Sequence, residues 1–400
     1  MPSARCARMV LAVTARRGTD ETTSHGRVGS VIAGFLACLL AVGAPVAVSG
    51  TAHAQPAPGA VVSEAPLDSR LSLPGAASAR ALSYTTQWRS GETATATGVV
   101  FVPGGEPPAG GRPVVAWAHG TTGLADDCAP SRNPRSERDT AYLEHWLDQG
   151  YAVVAADYPG LGSDGLHRYL DGQSAANSIV DLVRAARAVE PSLSERWVVV
   201  GQSQGGHAAL HTANTATDRA PELDFRGTLT TGAPSNLELV FPIGFPEFPD
   251  LPLDGLTAFG AFIFAGLREA DPGLDLDGYL TGLGREVVDA AESLCYDEML
   301  ARYTGVGIGD LLARPLGDDR FPAALSDYLG VPVNGYDRPL FLAQGLDDRV
   351  VPAPLSVKLV ADLWAGGAQP RFATYPTGHS ETMAASLPDT TPFVAELFAG

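Results

Sequence analysis

Strand-length runs, most of them continuously apolar, alternate along the chain with longer amphipathic segments. The runs end in glycine or in a turn and lie at 112–120, 151–160, 196–201, 224–234, 338–345 and 371–376. The segments with a helical spacing of apolar positions lie at 141–150, 176–191, 205–216 and near 352–366. Strands without polar alternation are buried on both faces, which is typical of a parallel sheet covered by helices. The pattern predicts an α/β fold with a mostly parallel sheet and helices on both faces.

This alternation occupies two separate parts of the chain, 81–235 and 337–400, which we predict to form one core. Residues 236–336 between them break the pattern, and we predict that they form a helical cap or lid. Six of the 14 phenylalanines fall within 241–264, interleaved with prolines. Aromatic surface beside a cleft favours apolar ligands, so this stretch is interpreted as covering an acyl-binding site, with an ordinary cap core as the alternative.

The first 54 residues have the order that is typical of a secretory signal peptide. Arginines are followed by an uncharged apolar run at 28–50 and then by an A-x-A signature that ends at Ala54. We predict cleavage after Ala54 and secretion of the mature protein, with a permanent membrane anchor as the alternative. Residues 55–80 are rich in Pro, Ala, Ser and Gly, and we predict a flexible N-terminal arm there.

The formal net charge of −18 makes the protein strongly acidic. Because an acidic chain repels a phosphate backbone, nucleic acid is not expected as a partner. Cys128 and Cys295 are the cysteines that remain once the signal peptide is removed. Two cysteines in an exported protein indicate one disulfide, with a pair of buried thiols as the alternative. No cluster resembles a structural zinc site, and no metal or other cofactor is predicted.

The stretch GQSQGG at 201–206 places Ser203 between a predicted strand and a predicted helix. A serine hydroxyl is a weak nucleophile unless a base, an orienting acid and oxyanion donors surround it. In a nucleophile elbow, small residues two positions before and after the serine relieve the crowding of the tight turn. Gly201 and Gly205 occupy those positions. We therefore predict that Ser203 is the catalytic nucleophile, although many glycine-rich turns with the same spacing are inert.

The acid and the base should follow later strands, in the order serine, acid, histidine. Asp347 and Asp348 both come after the run at 338–345, and the spacing G-x-x-D-x-x-V-P favours Asp348. Asp347 would then be a solvated turn residue. His379 follows the next run and is the only histidine after His211, so it is predicted as the general base.

The oxyanion hole needs two backbone N–H donors. One is expected at Gln204, directly after the nucleophile, and its side chain is then expected to matter little. The other is expected in the loop HGTTG at 119–123, where Thr121 is preferred and Thr122 is the close competitor.

Five stretches together resemble the secretory lipase family of α/β-hydrolases, which includes fungal lipase A and many actinobacterial exported lipases. They are WAHGTTGLADDCAPS (117–131), AADYPGLG (155–162), GQSQGG (201–206), QGLDDRVVP (344–352) and TGHSE (377–381). The resemblance implies a serine carboxylic-ester hydrolase with a helical cap before the acid-bearing strand and no required metal. It carries over Ser203, Asp348 and His379 as the triad, and it implies a bridge from Cys128 to Cys295.

The predicted function is that of a secreted lipase or esterase, of the triacylglycerol lipase type, that forms an acyl-enzyme on Ser203. The expected substrate is a small-molecule or lipid ester, and transient contact with a lipid interface is compatible with it. An exported peptidase or an acyltransferase of the same fold would use the same triad, so both remain as alternatives.

Overall fold

Nine strands form a single sheet in the part of the chain that the structure describes, residues 56–400 of a computed structural model. The predicted signal peptide lies outside the described residues. The strands are β1 (Val61–Pro66), β2 (Ala76–Gln87), β3 (Thr93–Pro103), β4 (Arg112–Ala118), β5 (Ala152–Ala156), β6 (Leu193–Gln202), β7 (Asp224–Thr231), β8 (Leu340–Gly345) and β9 (Arg371–Tyr375).

The strand order in the sheet is β1-β2-β3-β5-β4-β6-β7-β8-β9. The pairs from β1 to β3, and the pair of β3 with β5, are antiparallel. All pairs from β5 through β9 are parallel. The mostly parallel sheet is therefore confirmed. Because β4, β6, β8 and β9 run in one direction, the loops at their carboxyl ends meet at one edge of the sheet.

Helices cover both faces of the sheet. The core helices are α1 (Glu137–Asp148), α2 (Gly172–Val189), α3 (Gln204–Arg219), α9 (Ala353–Ala365) and α10 (Thr382–Ala399). The side chains of β4 alternate between two apolar cores, with Val114 and Ala116 in one and Val115 and Trp117 in the other. The first core is shared with α2, α3 and α9, and the second with α1 and α10. Both faces are thus buried, which explains the continuous apolar runs.

Five helices lie between β7 and β8, in the segment predicted as the cap. They are α4 (Leu237–Val240), α5 (Leu256–Ala270), α6 (Gly282–Ala291), α7 (Tyr296–Arg302) and α8 (Phe321–Leu329). They pack around an apolar core of their own, which includes the fully buried rings of Phe262 and Phe264. Ile263 also lies in this core, whereas Ile243 and Phe245 are exposed. The phenylalanine-rich stretch therefore supplies both the interior and the outer surface of the cap.

The prediction of a flexible arm at 55–80 is wrong. Residues Val61–Pro66 form β1, which pairs with β2, and β2 itself begins at Ala76. All six side chains of β1 are exposed or half-buried, because this is the outermost strand of the sheet. Backbone hydrogen bonds to β2 hold it in place, so its sequence carries no apolar pattern that would reveal a strand.

A disulfide joins Cys128 to Cys295. Cys128 lies in the loop after β4, and Cys295 directly precedes α7 of the cap. The backbone N–H of Tyr296 also donates to the carbonyl of Thr122, at 2.9 Å. The cap is therefore joined to the loop after β4 by one covalent link and one backbone hydrogen bond.

The double variant Cys128→Ser/Cys295→Ser should be less stable than the native protein. The bridge closes a loop with a sequence separation of 167 residues, so its loss frees many conformations of the unfolded chain. We expect the free energy of unfolding to fall by about 2–5 kcal/mol. Urea unfolding at pH 7 measures it, with dithiothreitol-treated native protein as the control. A loss below about 0.5 kcal/mol, the scale of an ordinary surface substitution, would contradict this prediction.

Candidate active site

Ser203 lies in a tight turn between β6 and α3. Its backbone has φ of 55° and ψ of −123°, a conformation that non-glycine residues adopt only under constraint. A Cβ at Gly201 would overlap the carbonyl of Gly205, and a Cβ at Gly205 would overlap the carbonyl of Ala118. The backbone N–H of Ser203 donates to Thr231 at 2.9 Å. The turn therefore has the geometry of a nucleophile elbow, and its two glycines are required by space.

Asp348 and His379 come together beside this turn. Nδ1 of His379 donates to Oδ2 of Asp348 at 2.7 Å. The other carboxylate oxygen accepts from the backbone N–H groups of Val350 and Val351, at 2.9 and 2.7 Å. Asp348 is buried, whereas Asp347 is exposed. Of the two aspartates that the sequence left open, the structure places Asp348 against the histidine.

Gln202 was missed by the sequence analysis and contacts the same histidine. Its side-chain Nε2 donates to Nε2 of His379 at 3.0 Å. Among the hydrogen bonds of residues 56–400, none joins Oγ of Ser203 to His379. Since Nδ1 carries the proton that Asp348 accepts, Nε2 is the ring's only acceptor, and Gln202 occupies it. A polar side chain directly before Ser203 was the available signal.

Of the two predicted oxyanion donors, Thr121 lines the same cleft as Ser203, and Gln204 directly follows Ser203 in the turn. Gln204 is the first residue of α3, so its N–H has no acceptor within the helix. Thr121 and Thr122 both line the cleft. Oγ1 of Thr121 pairs with the hydroxyl of Tyr169 at 2.6 Å, and Thr122 is held through its carbonyl by the cap. Thr122 is thus held by the cap, whereas Thr121 is held by the segment between β5 and α2.

The side chain of Gln204 is buried and belongs to the site's support. Its Nε2 donates to Nε2 of His167 at 2.7 Å, and Nδ1 of His167 donates to the carbonyl of Pro159 at 3.2 Å. Burial lowers the pKa of His167 to about 3, so the ring is neutral and can accept. The ring of Tyr158 stacks between His167 and His119. The expectation that the Gln204 side chain matters little is therefore not supported by its contacts.

Two cavities of different character meet at Ser203. The smaller, about 60 Å³, is lined mainly by apolar side chains of the cap and of the loop after β8, among them Leu256, Phe259, Ile263, Val350 and Val351. The larger, about 610 Å³, is lined by His379, by residues of the loop at 119–123 and by the charged side chains Asp127, Arg135, Arg138, Asp139 and Asp297. Ser203 therefore lies between an apolar and a charged compartment.

Residues 56–400 contain no group of three or more His, Cys, Asp and Glu side chains that could hold a metal ion. Within the same range, no helix is both long and apolar enough to span a membrane.

Residues 135–400 match the family model described as "Secretory lipase". The chain is similar to the structure of Candida antarctica lipase A in its closed state, with a TM-score of 0.71 and 21% identity over 86% of this chain and 83% of that one. It is also similar to a structure of LipA from Xanthomonas oryzae, described as a rice cell wall degrading esterase, with a TM-score of 0.71 and 21% identity over 86% of this chain and 100% of that one. A 2-hydroxy-6-oxononadienedioate/2-hydroxy-6-oxononatrienedioate hydrolase of Paraburkholderia phymatum is 29% identical over 226 residues, which are 54% of this chain and 67% of that protein. The structural neighbours agree with an α/β-hydrolase fold.

We expect Gln202→Met to raise the rate at which Ser203 reacts with a small fluorophosphonate. Methionine has a similar length but no donor, so Nε2 of His379 loses the partner that competes with the Ser203 hydroxyl. A net hydrogen bond of about 1 kcal/mol corresponds to a rise of about fivefold in the second-order rate constant. The same substitution at Gln173, on α2 and outside the cleft, is the control. An unchanged or lower rate in a variant with native thermal unfolding would contradict the prediction.

Stability should fall as the pH drops below 6.5. Burial lowers the pKa of His207 from 6.5 to about 4, and its Nε2 donates to the carbonyl of Leu329 at the end of α8. Protonation adds a second proton to the ring, and the folded protein binds that proton less tightly than the unfolded chain does. The stabilisation is therefore complete above pH 6.5 and is lost as the pH falls toward 4. Each pH unit in that window costs about 1.4 kcal/mol per histidine.

Urea unfolding at several values between pH 7 and pH 4.5 measures this dependence. In His207→Gln, the unfolding free energy should change with pH by about 1.4 kcal/mol less per pH unit, which corresponds to one proton. A dependence on pH should persist, because His167 and the other buried histidines are still present. A native protein whose stability does not change over this range would refute the prediction.

Proposed function

The chain belongs to the secretory lipase family, and from that premise we propose that it hydrolyses esters through an acyl-enzyme on Ser203, with His379 as the base and Asp348 as its orienting acid. The family match and the lipase and esterase folds make the protein a carboxylic ester hydrolase. The observation that carries the residue roles is the 2.7 Å contact of Asp348 with His379 beside a serine in an elbow conformation.

In the first step, Nε2 of His379 takes the hydroxyl proton of Ser203 while Oγ attacks the ester carbonyl. The carbonyl carbon becomes tetrahedral, and its oxygen carries the negative charge. The backbone N–H groups of Gln204 and Thr121 donate to this oxyanion. His379 then gives its proton to the alcohol oxygen, and the bond between that oxygen and the carbon breaks. The products of this step are the free alcohol and an ester of Ser203.

In the second step, water repeats the attack. His379 takes a proton from the water, the resulting hydroxide adds to the acyl carbon, and the new oxyanion lies on the same donors. Collapse returns the proton to Oγ of Ser203 and releases the carboxylic acid. Asp348 stabilises the imidazolium in both steps and fixes the ring tautomer through Nδ1.

We further propose that the protein is exported after cleavage behind Ala54. The family's secretory description and the Cys128–Cys295 disulfide support export, since disulfides persist in oxidising compartments. The exposed cap side chains Leu239, Ile243 and Phe245 support transient contact with an apolar surface.

The matched pair Asp348→Asn and Asp347→Asn tests the assignment of the acid. Asparagine at 348 favours the wrong histidine tautomer and removes the charge that stabilises the imidazolium, so kcat for p-nitrophenyl butyrate should fall by about 10³–10⁴. Asp347→Asn changes an exposed side chain and should leave kcat within about twofold of the native value.

Ser203→Ala should abolish turnover and should prevent the mass increase that a fluorophosphonate adds to the native protein. Equal losses in both aspartate variants, or labelling of Ser203→Ala, would overturn the proposed roles. Ester exchange that exceeds hydrolysis when an alcohol is supplied would identify an acyltransferase instead.

A further inference from the structure

The position of His379 distinguishes the acyl side of the site from the alcohol side. This step rests on the proposed function, in which Nε2 of His379 delivers a proton to the departing alcohol oxygen. His379 and Ser380 line the 610 Å³ cavity but not the 60 Å³ cavity, whereas Ser203 lines both. The alcohol must therefore leave through the larger cavity, and the acyl group bound to Ser203 must extend into the smaller one.

The smaller cavity restricts the length of the acyl chain. A dry cavity of about 150 Å³ in another protein holds one benzene ring, which has six carbons. At about 60 Å³, the apolar cavity here has less than half of that volume. By this scale it accommodates roughly two to three carbons beyond the carbonyl.

The walls of this cavity are part of packed structure. Ile263 is 1% exposed and lies in the core of the cap, and Val351 is buried in the loop that carries Asp348. Phe259 stacks on Tyr296, with ring centroids 5.1 Å apart, and lines both cavities as the partition between them. A longer chain would have to displace these side chains, which costs free energy, or leave the cavity past the half-buried Leu253 and Phe259.

The larger cavity combines apolar wall surface with charged groups that can bind a polar ligand. Its volume lies within the range of about 300–1,000 Å³ that is usual for ligand sites. Arg138 lies in it and donates to Oγ of Ser380, next to the base, at 2.9 Å. Asp127 and Asp297 also line it. Polar groups that bind and orient a ligand through hydrogen bonds reject an analogue that cannot form them.

We propose that the site is specific for esters that join an acyl group of two to four carbons to a large polar alcohol, such as a polyol. The apolar cavity beneath α5 selects the acyl group, and the charged cleft beside His379 receives the alcohol.

A series of p-nitrophenyl esters with acyl chains of two, four, eight and sixteen carbons tests the acyl side, with each ester held below its solubility limit. We expect kcat/KM to be highest at two or four carbons and to fall by about tenfold or more at eight. A maximum at eight carbons or beyond would overturn the inference and leave the proposed ester hydrolysis intact. Absence of turnover with every ester, or turnover retained in Ser203→Ala, would instead refute the proposed function.

Two substitutions on α5 distinguish the effect of a larger cavity from the effect of weaker core packing. Ile263→Ala, with the milder Ile263→Val in case the first variant is unstable, enlarges the cavity and should shift the preferred chain length upward. Leu267→Ala removes a side chain that is equally buried one helical turn further along but lines neither cavity, so the chain-length profile should not change. The same profile in all folded variants would overturn the assignment of the acyl side.

The alcohol side is tested with a constant butyryl group. We expect kcat/KM for glycerol monobutyrate to exceed that for butyl butyrate by about tenfold, because the polyol can satisfy the polar groups of the cleft. An equal or higher value for butyl butyrate would overturn this half of the proposal.

Discussion

The contact between the backbone of Gly205 and the carbonyl of Ala118 is the constraint on which the site depends. Because of this contact, the start of α3 packs directly against the end of β4, and the loop after β4 lies beside Ser203. His379 lies against Gly232, directly after β7. A Cβ at this glycine would collide with the histidine ring. Because these strands are parallel neighbours, these two close approaches bring Ser203, the loop at 119–123 and His379 to one edge of the sheet.

The cap is attached at the same edge of the sheet, and its side chains divide the space above that edge into two cavities. The disulfide and the hydrogen bond from Tyr296 to Thr122 attach it to the oxyanion loop, and α5 then lies over Ser203. Phe259 stacks on Tyr296, so the attachment also positions the partition between the compartments. The position of the cap, the conformation of the loop at 119–123 and the shape of the two cavities therefore depend on the same contacts, and a change in the attachment would alter all three.

Features with a local cause could be predicted from the sequence. The apolar runs revealed the buried strands, and Gly201 and Gly205 revealed the elbow because the turn excludes a Cβ there. Features that arise from tertiary contacts could not be predicted. The strand β1 lies at the edge of the sheet with no buried side chain, and it is held mainly by its backbone pairing with β2, so it carries no apolar pattern. The contacts of Gln202 with His379 and of Gln204 with His167, and the volume of the acyl cavity, follow from packing between distant segments.

Gln202 links His379 to the loop at 119–123. Its Nε2 donates to His379, while its Oε1 lies so close to Gly120 that a Cβ there would overlap it. A neutral histidine offers one lone pair at Nε2, so the amide and the Ser203 hydroxyl compete for it, and an imidazolium at that position would repel the amide donor. The amide of Gln202 therefore takes the lone pair at Nε2 of His379 and joins the ring to the loop at 119–123, a contact between segments that are far apart in the sequence.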